Sequence, residues 1–111
     1  MAASEAPALR ISDAVDGTTT VLTLAGELDV ATADVLRERI RRIIGRNTEA
    51  RDLVLDMSEL TFLDVPGLGA VLEARRRLAD SGGSLVLRRP RPMVRRMVEL
   101  LNLEEALHVE D

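Results

Sequence analysis

The stretch Phe62-Leu-Asp-Val-Pro-Gly-Leu-Gly-Ala-Val-Leu72 decides how the rest of the chain is read. An apolar strand end runs into an acid and a proline, then into two glycines and an apolar helical pattern. A strand, a tight turn and a helix in that order belong to a parallel crossover unit. Glycines at such a turn raise the question of a bound phosphate. A true phosphate loop needs Gly-x-x-x-x-Gly-Lys-Ser/Thr, and the chain has no lysine at all. Gly67 and Gly69 are therefore expected to serve close packing of the helix start rather than a nucleotide.

Upstream of this stretch, "DLVLDMSEL" alternates Leu53 and Leu55 against Val54 and Asp56. It predicts a strand buried on both faces for part of its length. Downstream, "GLGAVLEARRRLADSGG" predicts a helix with Leu68, Val71, Leu72 and Leu78 inward, ended by Asp80-Ser81-Gly82-Gly83. "SLVLRR" follows as a strand. "PRP" breaks the chain, and "MVRRMVELL" predicts a third helix with Met93, Val94, Met97, Leu100 and Leu101 on its inner face and Asn102 at its end. "LEEALHVED" closes with a helical turn and a short strand.

On the other side, "ALRISDAV" alternates like a half-buried strand, and Asp16-Gly17 is a hairpin signal before the β-branched run "TTTVLTLAG". "GELDVATADVLRERIRRIIGR" becomes helical, with Ala31, Val35, Ile40, Ile43 and Ile44 inward. Asp29 or Thr32 is expected to cap it, Gly45 lies near its end, and "RNTEAR" is expected as a loop. Residues 1–7 are expected to be disordered and residues 8–111 to form one domain. The fold expected is α/β: a mixed sheet with an N-terminal hairpin, packed by helices, in the order β-β-α-β-α-β-α-β.

Composition narrows the function. The chain has 111 residues, no cysteine, one histidine and one aromatic residue, Phe62. Thiol catalysis, cysteine-ligated metal and a histidine-based metal site are excluded, and no cofactor is expected. A net charge of −4 and the lack of aromatic stacking surfaces argue against direct nucleic-acid binding. No apolar run is long enough to span a membrane. "MAASEAPALR" lacks a basic region followed by an apolar stretch, so no signal peptide is expected. A cytoplasmic location is the expectation.

The order of elements, together with "LAGELDVATADVLRERI", "LVLDMSELTFLDVPGLGAVLEARRRL" and "VRRMVELLNLEEAL", resembles the STAS domain, the sulfate transporter and anti-sigma factor antagonist family. The resemblance covers Leu9 to Val109. It implies an anti-sigma factor antagonist, also called an anti-anti-sigma factor, of bacterial partner-switching regulation of transcription. Such a module binds a serine-kinase anti-sigma factor and releases a sigma factor. The kinase inactivates the family's antagonists at one Ser or Thr at the start of the second helix, in patterns like D-S-S-G-L-G.

Carried over to this chain, Asp64 matches the aspartate and Gly67, Leu68 and Gly69 match G-L-G. Val65 stands at the acceptor position and Pro66 at the second hydroxyl position. Neither has an oxygen to phosphorylate, so the chain is expected to escape modification there. The partner-binding surface implied is Asp29, Asp64, Val65, Pro66, Gly67 and Leu68. Ser58 and Thr61 are the nearest hydroxyls and the candidate alternative acceptors, although a place in the strand–loop connection explains both.

Asp29, Asp56 and Asp64 admit two readings: an acidic patch facing the kinase, or capping and turn stabilisation. Asp56, in a strand interior, is the one that no cap explains. No nucleophile, histidine partner or metal set accompanies these acids, so no catalytic residue and no enzyme activity are expected. Pro66 suits the first turn of a helix, where a missing N–H costs little. "RRPRP" at Arg88–Pro92 is read as a solvated loop, with contact to an acidic partner as the alternative, and His108 as a strand-edge residue. A homodimer is a further expectation. The reading from another class is a small cytosolic STAS subunit of a membrane transport complex.

Overall fold

The computed structural model describes residues 8–46 and 52–111. The segment expected to be disordered, 1–7, and most of the expected loop after the first helix lie outside these. A two-residue turn, Gly17-Thr18, joins β1 (Leu9–Asp16) to β2 (Thr19–Leu28), and Asp16 pairs with Thr19 across it. Gly17 has φ 65° while Thr18 stays at negative φ. That is the pattern of a turn needing glycine at its first position only.

The chain continues through α1 (Ala33–Arg46), β3 (Asp52–Leu63), α2 (Val65–Asp80), β4 (Ser84–Arg88), α3 (Pro92–Leu100) and β5 (His108–Glu110). The sheet order is β1-β2-β3-β4-β5, antiparallel in the first pair and parallel in the rest. The expected element order and mixed α/β sheet are therefore observed. Each of the three crossovers moves one strand in the same direction. Right-handed crossovers then place all three helices on one face.

Burial follows from this. Leu22, Leu55 and Leu87 are adjacent across the sheet and fully buried. They form one core with Leu36 and Ile40 of α1, Val71 and Leu78 of α2, and Val94 and Val98 of α3. Val54, one residue out of phase, is buried by its neighbours yet stands outside that core. The uncovered face carries Thr23, Val54, Asp56, Val86 and Arg88. The molecule is accordingly only 21 Å deep in its thinnest dimension.

Two helix faces differ from expectation. In α1, Leu36 is buried while Val35 is 45% exposed. In α3, Val94 and Val98 point inward, whereas Met93, Leu100 and Leu101 are exposed. The run "MVRRMVELL" contains two overlapping apolar stripes. Val94 and Val98 face the sheet, with Met97 partly buried beside them.

Both α2 and α3 end in the same bond pattern. Gly83 N–H donates to the Leu78 carbonyl (2.7 Å) and Gly82 N–H to that of Ala79 (3.0 Å). Leu103 N–H donates to Val98 (2.9 Å) and Asn102 N–H to Glu99 (3.1 Å), with Asn102 at φ 56° as its position predicted.

Candidate interaction site at the start of the second helix

Three short segments meet where β2 and β3 end and α2 begins. Asp64 adopts extended backbone (φ −114°, ψ −179°) and caps α2, its Oδ1 accepting from Gly67 N–H at 2.8 Å. Pro66 sits in the first turn, where its missing N–H is no loss. The other Asp64 oxygen, Oδ2, accepts from Val30 N–H at 3.3 Å, tying the β2–α1 loop to the helix start.

That loop is braced internally. Asp29 Oδ1 accepts from the amides of Ala31 (2.9 Å) and Thr32 (3.1 Å). The Thr32 hydroxyl accepts from Asp29 N–H (2.9 Å) and donates to the Glu27 carbonyl (2.8 Å). Asp29 therefore stabilises a turn, and Thr32 spends its hydroxyl on the loop before α1 rather than on the helix.

Gly67 is the contact point between α2 and β2. A Cβ there would lie 2.3 Å from the Leu28 carbonyl oxygen and 2.8 Å from its carbon. Only glycine permits this approach. The packing expected of the two glycines is thus real at Gly67. Gly69 has open space where a side chain would go, which corrects that expectation at the second position.

Of the six residues expected on a partner surface, Asp29, Asp64, Val65 and Pro66 are brought together with part of their surface open. Leu68 is not available: it is 1% exposed and belongs to the core, and Gly67 is buried beside it. Position 68 shares its face of α2 with buried Val71 and Leu78, the face that packs on the sheet. What the sequence reading missed is Val30 (73% exposed), whose amide meets the Asp64 carboxylate next to the exposed Val65 (62%). The signal available was "ELDVAT", an apolar residue between a braced acid and the helix start.

Asp56 belongs elsewhere. Its Oδ1 accepts from the Ser58 amide (3.0 Å) and hydroxyl (2.8 Å), and its Oδ2 from Arg89. Burial pushes the Asp56 carboxyl up. The Ser58 amide, the Arg89 guanidinium and the Ser58 hydroxyl together outweigh burial and hold it below the ordinary carboxylate value. Arg89 reaches it from a left-handed backbone conformation, φ 51°. Arg91 Nε donates to the Ser58 carbonyl (3.1 Å) and Arg88 pairs with Glu110 (2.8 Å). The "RRPRP" arginines thus engage their own sheet.

The Ser58 hydroxyl donates its proton to Asp56, and Thr61 Oγ1 donates to the Gly26 carbonyl (3.1 Å). A phosphoryl group on Ser58 would face the Asp56 carboxylate. His108 is exposed on the edge strand β5. Among the described residues no group of three or more His, Cys, Asp or Glu is placed to hold a metal ion. No described helix is long and apolar enough to cross a membrane.

The α2 start therefore offers recognition by shape: exposed apolar side chains around a carboxylate whose two oxygens are both engaged. The helix dipole is already met by that carboxylate.

Comparison with known proteins identifies the family and the fold. The family model of the STAS domain matches residues 7–111. The anti-sigma F factor antagonist of Paenibacillus polymyxa is 29% identical over 91 residues, 82% of this chain and 77% of that protein. That of Lysinibacillus sphaericus is 31% identical over 85 residues, 77% of this chain and 72% of that protein. The unphosphorylated structure of the anti-sigma factor antagonist SpoIIAA superposes with a TM-score of 0.72 at 26% identity, covering 94% of this chain and 88% of that one.

Proposed function

This chain belongs to the STAS domain family, and from that membership we propose that it is an anti-sigma factor antagonist acting by protein–protein binding, without catalysis, in the bacterial cytoplasm. Its partner is an anti-sigma factor of the serine-kinase type. Its contact surface is centred on Asp29, Val30, Asp64, Val65 and Pro66. The observation that carries the reading is the exposed side chain of Val65 at the first position of α2, in a chain whose relatives are antagonists.

Val65 also sets the regulation. It stands where the family carries a phosphoacceptor, and a branched hydrocarbon cannot accept a phosphoryl group. The proposed behaviour is an antagonist that its kinase binds without switching off. The transport-subunit reading is set aside because the two relatives named above are antagonists.

The experiment is to purify the serine-kinase anti-sigma factors of the source organism and titrate each with this protein by calorimetry. Incubation with ATP and phosphosite mapping by mass spectrometry follow. Binding of one kinase with no phosphate on the antagonist is the expected result. Stoichiometric phosphate on Ser58 or Thr61 overturns the unswitched reading, and failure of every kinase to bind overturns the partner.

A further inference from the structure

Exposed Met93, Leu100 and Leu101, with Met97 partly buried against the core between them, form one wall of a groove whose other wall is Val65. The groove holds about 370 Å3 and is lined by Val65, Met93, Arg96, Met97, Leu100 and Leu101. Leu100 is 68% exposed, Val65 62%, Leu101 44% and Met93 38%. Exposed apolar side chains gathered in this way mark an interaction surface. Two methionines give it a lining that adapts to a partner's side chains. Positions 93, 97, 100 and 101 span two turns of helix, about 12 Å at 1.5 Å per residue. That length suits an opposing helix with anchors at i, i+3, i+4 and i+7.

We propose that this groove receives an acid-flanked amphipathic helix of the anti-sigma factor, so that the partner's footprint runs from the α2 start along α3. The inference rests on the functional reading above and extends its surface. Charge selects the occupant. Among the described residues Arg96 is the only charged one lining the groove, and it has no ion-pair partner there, whereas neighbouring Arg95 is paired with Asp111. A second copy docked groove to groove would bring another Arg96 and, among the described lining residues, no carboxylate. A helix carrying Glu or Asp beside its apolar anchors meets the free guanidinium. Val65 then has a second role: it supplies apolar wall at the position where a serine would supply a hydroxyl.

Two measurements test this. In the first, the protein is labelled at its methionine methyls and titrated with two synthetic helices that share Leu anchors at i, i+3, i+4 and i+7. One is flanked by Glu, its twin by Lys. The Met93 and Met97 methyl signals are expected to shift while buried Met57 stays still. The Glu-flanked helix is expected to bind about tenfold more tightly than its twin, an ordinary effect for a close interfacial charge, with the order reversed in Arg96→Glu. Unmoved methyls, or equal binding of both helices, overturns the groove's chemistry.

In the second, Leu100→Glu is titrated against the kinase that binds the wild type. A loss of at least about thirtyfold is expected for an anchor position, while Val15→Glu on the hairpin stays within about twofold of the wild type. Kinase binding that ignores Leu100→Glu overturns this inference and leaves the functional reading standing. No kinase binding, with the helices behaving as expected, overturns the functional reading and leaves the groove's chemistry standing. Self-association of the wild type that Leu100→Glu abolishes makes the occupant a second copy and overturns the proposal.

Discussion

Val30 donates its amide to the carboxylate of Asp64 across thirty-four residues of sequence, 3.3 Å away. The same carboxylate caps α2 through Gly67 N–H at 2.8 Å. One side chain therefore holds both the helix start and the loop beside it. Asp64→Ala removes both bonds. The expected loss is about 2 kcal/mol, roughly 1 for the cap and about 1 for the second bond. Asp64→Ser keeps the cap alone and is expected to recover about half. Urea midpoints of the three proteins check this; an Asp64→Ala midpoint equal to wild type shows that neither bond matters.

The two glycines of the α2 start respond in opposite directions. Gly67→Ala puts a methyl 2.3 Å from a backbone oxygen that cannot rotate aside, so α2 must shift. The expected cost is about 2–3 kcal/mol, the range of overpacking. Gly69→Ala meets open space inside a helix, and the gain in helix propensity is about 0.5–1 kcal/mol. Thermal unfolding of both variants reads the signs directly.

Val65→Ser restores a hydroxyl at an exposed position. Stability is expected to change by under about 0.5 kcal/mol, as for most surface substitutions. The partner kinase is expected to phosphorylate residue 65 of the variant and no residue of the wild type. A variant that still binds the kinase with ATP but stays unmodified would show that the kinase does not present its γ-phosphate there.

Asp56 makes stability depend on acidity. Its carboxyl is held below the ordinary value in the fold, so the native state binds that proton more weakly than the unfolded chain. The stabilisation is therefore fully present well above the unfolded value of about 3.9. It is lost as pH falls from about 5 through the lowered native value. Because Arg89 is more than half exposed, solvent screens the pair, and Asp56→Asn is expected to cost only about 1–2 kcal/mol at pH 7. The gap between wild type and variant should narrow between pH 5 and pH 3 in urea titrations. A constant gap would mean that the charge contributes nothing.

Local chemistry was legible in the sequence wherever it was sufficient. Asp16-Gly17 announced the hairpin, Asp64 the cap and Asn102 the left-handed end of α3. Contacts between distant segments were not. Nothing near Asp56 in the sequence announces Arg89, and nothing near Asp64 announces the Val30 amide. Leu68 was placed on the partner surface because its neighbours in sequence are there, while helical rotation carries it into the core. In α3 the expected inner face included Met93, Leu100 and Leu101, and packing on the sheet took Val98 in their place. Those three, left outward, line the groove beside Val65.

The fit of Gly67 against the Leu28 carbonyl also bears on kinetics. A helix start with no room to roll presents a partner with one preformed surface. On this side the backbone of the helix start does not have to move before docking, and only side chains such as Met93 and Met97 adjust. The observed rate of association should then rise linearly with partner concentration, without the plateau that a slow opening step imposes, and changes in affinity among surface variants should fall mainly on the dissociation rate.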